Sequence, residues 1–450
     1  MKTEYKLNDK NLIGFNYNYS FANPYNINTN NVRTLQNGVF NGFSAENVNH
    51  INNNNHYATA FYDVKLDSLG SKLSFSGNLI SNKLALIKNV STFQNTEKEA
   101  VNHNYNLYNI YSGQVDLEKN FSKIKTESGL KYTMFKNEST AQFFDIENEQ
   151  TQVNPQQSNA FIYHEKNYAA YMSSSLKIAE KWDAKLGLRY EYTDLDGTAK
   201  SDRAMIKSSY GKFFPTVYFS YKANDNNTMS LNYSRRIRRP YFGNLNPSKL
   251  YTSDYEYDVG NQFLKPSFSD NVELSYVLKN NVTTTLYFTH TSDSWDRIQK
   301  IENGNKITTT ENFFTENQTG MSLNYSFNKI RWLESNIFLT GFYNQSTSKK
   351  SDVSIFPASF GANLNINNSF YLRKDKNLAF RLGYWMDLPS KRGNSDINFS
   401  NNLYAVLKLN LLQKNLMTNL SVNDIFNTQV YKSRETYSNF TSNFKYKGLS

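Results

Sequence analysis

The chain has 450 residues and a formal net charge of +11, enough for one large domain or two to three ordinary ones. Its Lys and Arg are scattered rather than gathered into a run that would name nucleic acid as a partner. The absence of cysteine excludes disulfides, thiolate metal sites and cysteine nucleophiles, and five histidines leave little material for imidazole chemistry.

Aromatic residues make up 15% of the chain, with 33 Tyr and 32 Phe, while mean hydropathy is strongly negative. No stretch approaches the roughly eighteen apolar residues that a membrane helix needs. The opening MKTEYKLNDKNLIGFNY has no apolar core of the kind a secretion signal carries. In NLIGFNYNYSF, Ile13, Phe15, Tyr17, Tyr19 and Phe21 alternate with Gly14, Asn16, Asn18 and Ser20, which predicts a strand with one greasy side. The polar stretch 22 to 55 follows, with His50 and His56 widely spaced in an Asn run, and reads as a loop rather than a metal site.

From there the same two-residue period repeats. In DAKLGLRYEYTD, Ala184, Leu186, Leu188, Tyr190 and Tyr192 alternate with Lys185, Gly187, Arg189, Glu191 and Thr193. NTMSLNYS, NVELSYVLK, TGMSLNYSFN and NLAFRLGYWMD behave alike. The pattern predicts roughly eighteen strands of about ten residues, the length that a tilted strand needs to cross a bilayer. Short polar turns (LDSLGSKL, LEKNFSKI, AEKWDAKL, KANDNNTM, LKNNVTT, FNKIRWLE, LRKDKNLA) alternate with long Asn-, Ser- and Thr-rich stretches at 22 to 55, 83 to 104, 137 to 160, 238 to 268 and 292 to 316. Tight turns on one rim and long loops on the other predict an all-β chain forming an antiparallel transmembrane β-barrel of outer-membrane type. Lipid offers the backbone no hydrogen-bond partner, so the sheet must satisfy its own edges, and its polar face can line a wet lumen. Tyr190 with Tyr192 and Tyr384 with Trp385 are candidates for the interfacial aromatic girdles.

SRRIRRPYFGNLNP places Arg235, Arg236, Arg238 and Arg239 within five positions. Asn232, Ser234, Arg236 and Arg238 continue the polar face of a strand whose other side holds Leu231, Tyr233 and Ile237, and Pro240 ends it. An arginine at the bilayer midplane costs about 2–4 kcal/mol on the lipid face. The cluster therefore belongs to the lumen or rim, with Asp254, Glu256 and Asp258 as nearby acids, or to lipid phosphates or an anionic solute. Nucleic acid would want a continuous stacking groove. Gly304 in IENGNKITTT reads as a tight hairpin turn at the outer side. No Gly-x-Ser-x-Gly or His-Glu-x-x-His appears, so no enzyme is expected, and neither cofactor nor metal is implied.

FIYHEKNYAAYMSSSLKIAEKWDAKLGLRYEYTDLDG resembles a signature of the outer membrane protein beta-barrel family, the barrel domain of TonB-dependent-receptor-like proteins. It carries Phe161, Tyr163 and Glu165, then Ala170 with Tyr171, Trp182, and Gly187 to Thr193. YSRRIRRPYFGNLNP with DYEYDVGNQFLKPSFSDNVELSY resembles its Ser-Arg-Arg-x-x-Arg-Pro strand end, Leu-Asn-Pro and Gly-Asn-x-x-Leu-x-Pro turn, with Gln262 where Pro is expected. LSVNDIFN, Leu420 to Asn427, resembles its Asp-x-Phe-Asn element, where Asp424 is expected to be structural.

The resemblance implies a barrel of twenty-two strands preceded by a plug, a carboxypeptidase-like repeat and a signal peptide. Residues 1–450 then read as part of that barrel, with plug, signal peptide and last strand absent, and such a chain alone is expected not to insert as a stable monomer. Its implied role is nutrient uptake across the outer membrane of a Gram-negative-type bacterium. Implied partners are outer-membrane lipid, the TonB system acting through the plug, and a surface lipoprotein; nucleic acid is not among them. The alternative is a non-transporting surface barrel that binds glycans or envelope partners through its loops. The ligand and the ligand-binding residues stay open at this point.

Overall fold

A computed structural model describes residues 2–36, 39–93, 97–148, 150–200, 205–253, 255–350, 353–412, 415–437 and 440–447. Among these, twenty-two strands join one sheet and four more form a small second sheet. Eighteen strands of the large sheet follow one another as its wall, each antiparallel to the next. They begin Lys2–Lys6, Asn11–Ala22, Val39–Lys65, Lys72–Phe93, Glu97–Asn120 and Ile124–Glu147. Next come Asn159–Ala179, Trp182–Ala199, Met205–Asn224, Asn227–Arg238, Ser267–Leu278 and Val282–Glu302. The series ends with Asn305–Ile330, Leu333–Ser348, Ala358–Tyr371, Leu378–Asp387, Ser400–Leu411 and Leu416–Val422. The fold is an all-β outer-membrane barrel wall, and among the described residues no helix is long and apolar enough to cross a membrane.

The two-residue period decides which way each side chain faces. In Trp182–Ala199, Leu186 and Leu188 are 54% and 51% exposed on the outer face, whereas Glu191 and Thr193 are buried on the inner one. Neighbouring strands keep this sorting, since Leu188 is in register with Met172 and Pro215, and Tyr192 with Tyr168. A slip of one residue would turn the polar set into lipid.

Strand length departs from the sequence expectation. Val39–Lys65 has 27 residues, Asn305–Ile330 has 26 and Glu97–Asn120 has 24. Only about 9–11 residues are needed to cross, so the remainder stands outside the apolar band. The stretches 22 to 55, 83 to 104, 137 to 160 and 292 to 316 are therefore mostly strand, not loop. Asn on these strands serves both faces, as in the consecutive Asn52 to Asn55, and cross-strand amide pairs such as Asn82 with Asn53 and Asn55 add side-chain bonds to the ladder. Gly304 closes one of these tall hairpins, with Asn303 and Gly304 at φ 50° and 80° between the paired Glu302 and Asn305. That is the left-handed geometry of a two-residue hairpin turn.

The outward face that a girdle needs is shown by both residues of one pair and by only one of the other. Tyr190 and Tyr192 face outward. Tyr384 is in register with Ile366 and Leu403, but Trp385 is in register with Asn365 and Asn402 and so lies on the inner, polar face. Adjacent residues of a strand cannot share one side.

The short turns are built by side-chain capping. Asp67 accepts from the Leu69 and Ser71 amides at 2.9 and 3.0 Å, and the Lys119 ammonium reaches its other oxygen at 2.8 Å. The Lys119 hydrogen bond, then those from Ser71, hold this carboxyl well below the usual carboxylate range. A carboxyl lowered on folding supports the turn fully above its ordinary value and loses that support as pH falls through the lowered one. Protection of the Leu69 and Ser71 amides from hydrogen exchange, relative to the free-peptide rate at each pH, should therefore be high at neutral pH and fall only in strong acid; in Asp67→Asn it should already be low at neutral pH. Across the wall, Leu188→Arg should lower stability by about 2–4 kcal/mol in urea titrations of the membrane-folded protein. An unchanged midpoint would contradict the outward assignment.

Candidate functional site

One connection does not rise above the wall. After Arg238 the chain meets Pro240, which lacks the amide that a ladder needs, and the described residues of 239–266 turn inward. A single helical turn, Phe242–Leu245, is followed by the small hairpin Leu250–Ser253 and Glu256–Asp258. The latter strand runs parallel to Lys306–Thr308 of the wall. The resembled motifs meet here. The Gly260 amide donates to the Asn246 carbonyl at 2.8 Å and the Asn261 amide to that of Asn244 at 2.6 Å. A Cβ on Gly260 would lie 2.5 Å from the Asn246 carbonyl oxygen, so only glycine permits this backbone approach. The Leu264 amide closes a turn on the Asn261 carbonyl at 3.1 Å, with Gln262 in the position where proline would stiffen it.

The segment spans the lumen. On one side Lys88 and Asn102 donate to the Tyr251 carbonyl at 3.1 and 3.3 Å, and the Tyr251 ring meets Phe143 at 5.1 Å. On the other, Lys306 pairs with Glu256 at 2.8 Å, Arg297 with Asp258 at 3.1 Å, and Asn261 donates to the Thr310 carbonyl at 3.0 Å. Leu245 and Leu264 pack with Phe161, Tyr163, Ile206 and Trp295 into an apolar cluster inside an otherwise polar barrel.

The four arginines separate according to register, and their partners differ from those expected. Arg239 donates to Glu191 at 2.6 Å and lies 4.0 Å from Glu165. Arg238 stacks on the Trp295 ring at 3.7 Å. Arg235 faces outward beside Asp270 at 4.0 Å, and Arg236 is exposed. Of the acids anticipated as partners, Glu256 and Asp258 are taken by Lys306 and Arg297, and Asp254 lies outside the described residues. The reason is geometric: Pro240 sends the chain across the lumen, so residues near in sequence end on the opposite wall. Burial opposes the Arg239 charge, but the Glu191 hydrogen bond and the field of Tyr210, Glu191 and Glu165 outweigh it and hold the guanidinium above its ordinary value.

Between this segment and the wall lies a cavity of about 310 Å³, bordered by Glu165, Lys207, Tyr210, Arg239, Gln262 and Lys265 over the apolar cluster. The Gln262 side-chain oxygen is buried without a hydrogen-bond partner among the described residues. Lys207 and Lys265 form no ion pair among the described residues. Lys207, next to the inward Ile206 and in register with Asp196, takes the opposite face of its strand, which leaves Arg239 and Lys265 with the Glu165 carboxylate as the charged border of a place for a small polar or anionic solute with an apolar body.

Other singled-out residues are structural by their contacts. Asp424, buried at φ 51°, accepts from the Thr428 and Gln429 amides at 2.7 and 3.1 Å. His56 bonds the Tyr17 hydroxyl at 2.7 Å and His50 packs edge-on to Tyr25, both on strand Val39–Lys65 rather than in a loop. His164 contacts Asp196, His290 contacts Asn317 and His103 packs on Phe144. Sequence reading missed Arg392, which grips Glu316 at 3.0 Å and Asp296 at 3.4 Å, because these residues lie on three different strands with no local spacing to betray them.

Truncation at Arg239 should free the inward segment. Arg239→Ala is expected to cost about 1.5–3 kcal/mol, the value of a charge-assisted bond, and to expose residues 240–266 to added protease. Glu191→Gln should do the same, and a double-mutant cycle should return a coupling of that size; additive effects would show that the pair does not anchor the segment.

The family described as the Outer membrane protein beta-barrel family matches residues 64–448. Among solved structures, the ferric yersiniabactin uptake receptor of Yersinia pestis superposes with TM-score 0.52 at 11% identity, covering 99% of this chain and 75% of that one. The siderophore receptor PiuA of Acinetobacter baumannii gives 0.54 at 11% identity over 99% and 79%, and the copper transporter OprC gives 0.56 at 10% over 94% and 73%. No curated protein matches the chain in sequence. At such identities the likeness establishes the fold, and these neighbours are transport receptors rather than enzymes. With the family match covering most of the chain and the wall built as described, this chain belongs to the outer membrane protein beta-barrel family and resides in the outer membrane of Gram-negative bacteria.

Proposed function

We propose that the chain forms barrel wall of an outer-membrane receptor for nutrient uptake, and that the cavity at the inward segment contributes to ligand recognition. The observation carrying this reading is that residues 239–266 cross the lumen and are fastened to both walls, leaving a charged cavity under the outer rim. The structural neighbours include receptors for siderophores and a copper transporter, which makes scarce metals or their chelates the first substrates to test. Energy would come from the TonB system through a plug, in keeping with those neighbours.

A second reading, surface binding without transport, draws on the tall hairpins such as Tyr25–Gln36 with Val39–Lys65, which carry polar surface beyond the apolar band. Deleting the gene and measuring growth across limiting iron, copper and carbon sources separates the two. Uptake predicts a defect on one source that loss of TonB reproduces; normal growth throughout, with loss of surface binding, favours the second reading. For the cavity, Lys265→Ala should raise the substrate concentration for half-maximal uptake by roughly tenfold, about 1.4 kcal/mol, with the amount of protein in the membrane unchanged.

A further inference from the structure

We infer that the outer face of the wall carries a binding groove for one phospholipid with an anionic headgroup, drawn from the periplasmic leaflet. The groove crosses the strands between Asn11–Ala22 and Trp182–Ala199 and has a volume of about 960 Å³. Ala60, Gly77 and Gly113, in register with Phe15 and Tyr132, form its floor, and Leu130 and Tyr190 border it. A second hollow of about 850 Å³ adjoins it, sharing Val115, Leu130 and Ala170, and runs toward Leu117, Met172 and Leu186 near the short turns.

The space is not a by-product of internal packing. Several glycines of this barrel are demanded from within: a Cβ at Gly14 would strike the Phe61 ring, and one at Gly129 the Tyr171 ring. Gly113 has nothing within 4 Å of a Cβ, and Gly77 has only the Ser112 carbonyl oxygen at 3.9 Å. Neither sits at positive φ. Their small size therefore serves something outside the chain. The groove is continuous with the lipid-facing surface of an outer-membrane barrel, so the occupant at hand is an acyl chain.

The headgroup end is marked by charge. The short turns lie on the periplasmic rim, and the two nearest the second hollow carry Lys123 and Lys181, both exposed and without an ion pair among the described residues. The carboxylates beneath them are mostly engaged: Asp67 by Lys119 at 2.8 Å, Glu118 by Lys125 at 2.9 Å, and Glu127 by Lys185 at 3.2 Å. Asp183 lies in register with Lys177 on the lumen-facing side, so Glu180 alone remains against Lys123 and Lys181, leaving cations in excess. An acyl chain lying along the groove places its phosphate at this rim, where lysines attract anionic lipid.

Protein extracted from outer membranes in mild detergent is titrated with dioleoyl phosphatidylglycerol, dioleoyl phosphatidylcholine or lipid A, and retained lipid is counted by native mass spectrometry. One phosphatidylglycerol should stay bound at a concentration tenfold below that needed for phosphatidylcholine. Gly77→Leu with Gly113→Leu, which fills the groove, should weaken that binding at least tenfold. Lys123→Ala and Lys181→Ala together should reduce phosphatidylglycerol to the level of phosphatidylcholine. The lysine variant lies on exposed turns and keeps the test decisive should the leucines impair folding, which heat-modifiable migration reports. Equal retention of the two phospholipids, lipid A outcompeting phosphatidylglycerol, or undiminished binding in the folded leucine variant would each overturn the inference.

Discussion

Every strand of this molecule answers to the demand of backbone amides that lipid cannot satisfy. Hydrocarbon offers neither donor nor acceptor, so each N–H and C=O inside the membrane must find its partner on a neighbouring strand. The ladder of eighteen antiparallel wall strands meets that demand between neighbours, the outer edges of Lys2–Lys6 and Leu416–Val422 having no strand partner among the described residues, and the alternation of side chains follows from it: once the backbone is committed to strand, odd and even residues must face different solvents. A chain with strongly negative mean hydropathy can then live in a membrane, because half of each strand is addressed to water.

The same constraint relaxes outside the apolar band, where the chain adopts two solutions. Most connections continue the ladder upward as tall polar hairpins, keeping their amides paired. The connection at 239–266 instead leaves the ladder at Pro240 and satisfies its polar groups by bridging the lumen, with Tyr251, Glu256, Asp258 and Asn261 each matched to a wall residue. That exchange of local pairing for long-range contacts produces the candidate cavity. It also explains why Arg239 pairs with Glu191, 48 positions away, instead of with the acids that follow it in sequence.

What could be read in advance was whatever is local. The strand faces of NLIGFNYNYSF and DAKLGLRYEYTD, the short turns, the Asn303–Gly304 hairpin and the structural place of Asp424 all depend on spacings of a few residues. The length of the outer strands was not legible, because Asn, Ser and Thr serve a water-washed strand as well as a loop. The inward path of residues 239–266 was visible only as a resemblance: the Leu-Asn-Pro and Gly-Asn elements were recognisable, but their mutual hydrogen bonds at Asn246 and Gly260 required the fold. Trp385 was misread for a simpler reason, since aromatic content suggested a girdle while its parity with Asn365 decided otherwise.

The absence of native cysteine makes the sorting of faces directly measurable. Single cysteines are placed in turn at Lys185, Leu186, Gly187, Leu188, Arg189, Tyr190, Glu191 and Tyr192 of the membrane-embedded protein, and each is challenged with a water-soluble and a lipid-soluble thiol reagent. Labelling should alternate residue by residue, the water-soluble reagent reaching 185, 187 and 189, the lipid-soluble one reaching 186, 188, 190 and 192, and position 191, buried beneath Arg239, resisting both. Uniform labelling along the strand, or the inverse alternation, would contradict a wall whose greasy side meets the bilayer.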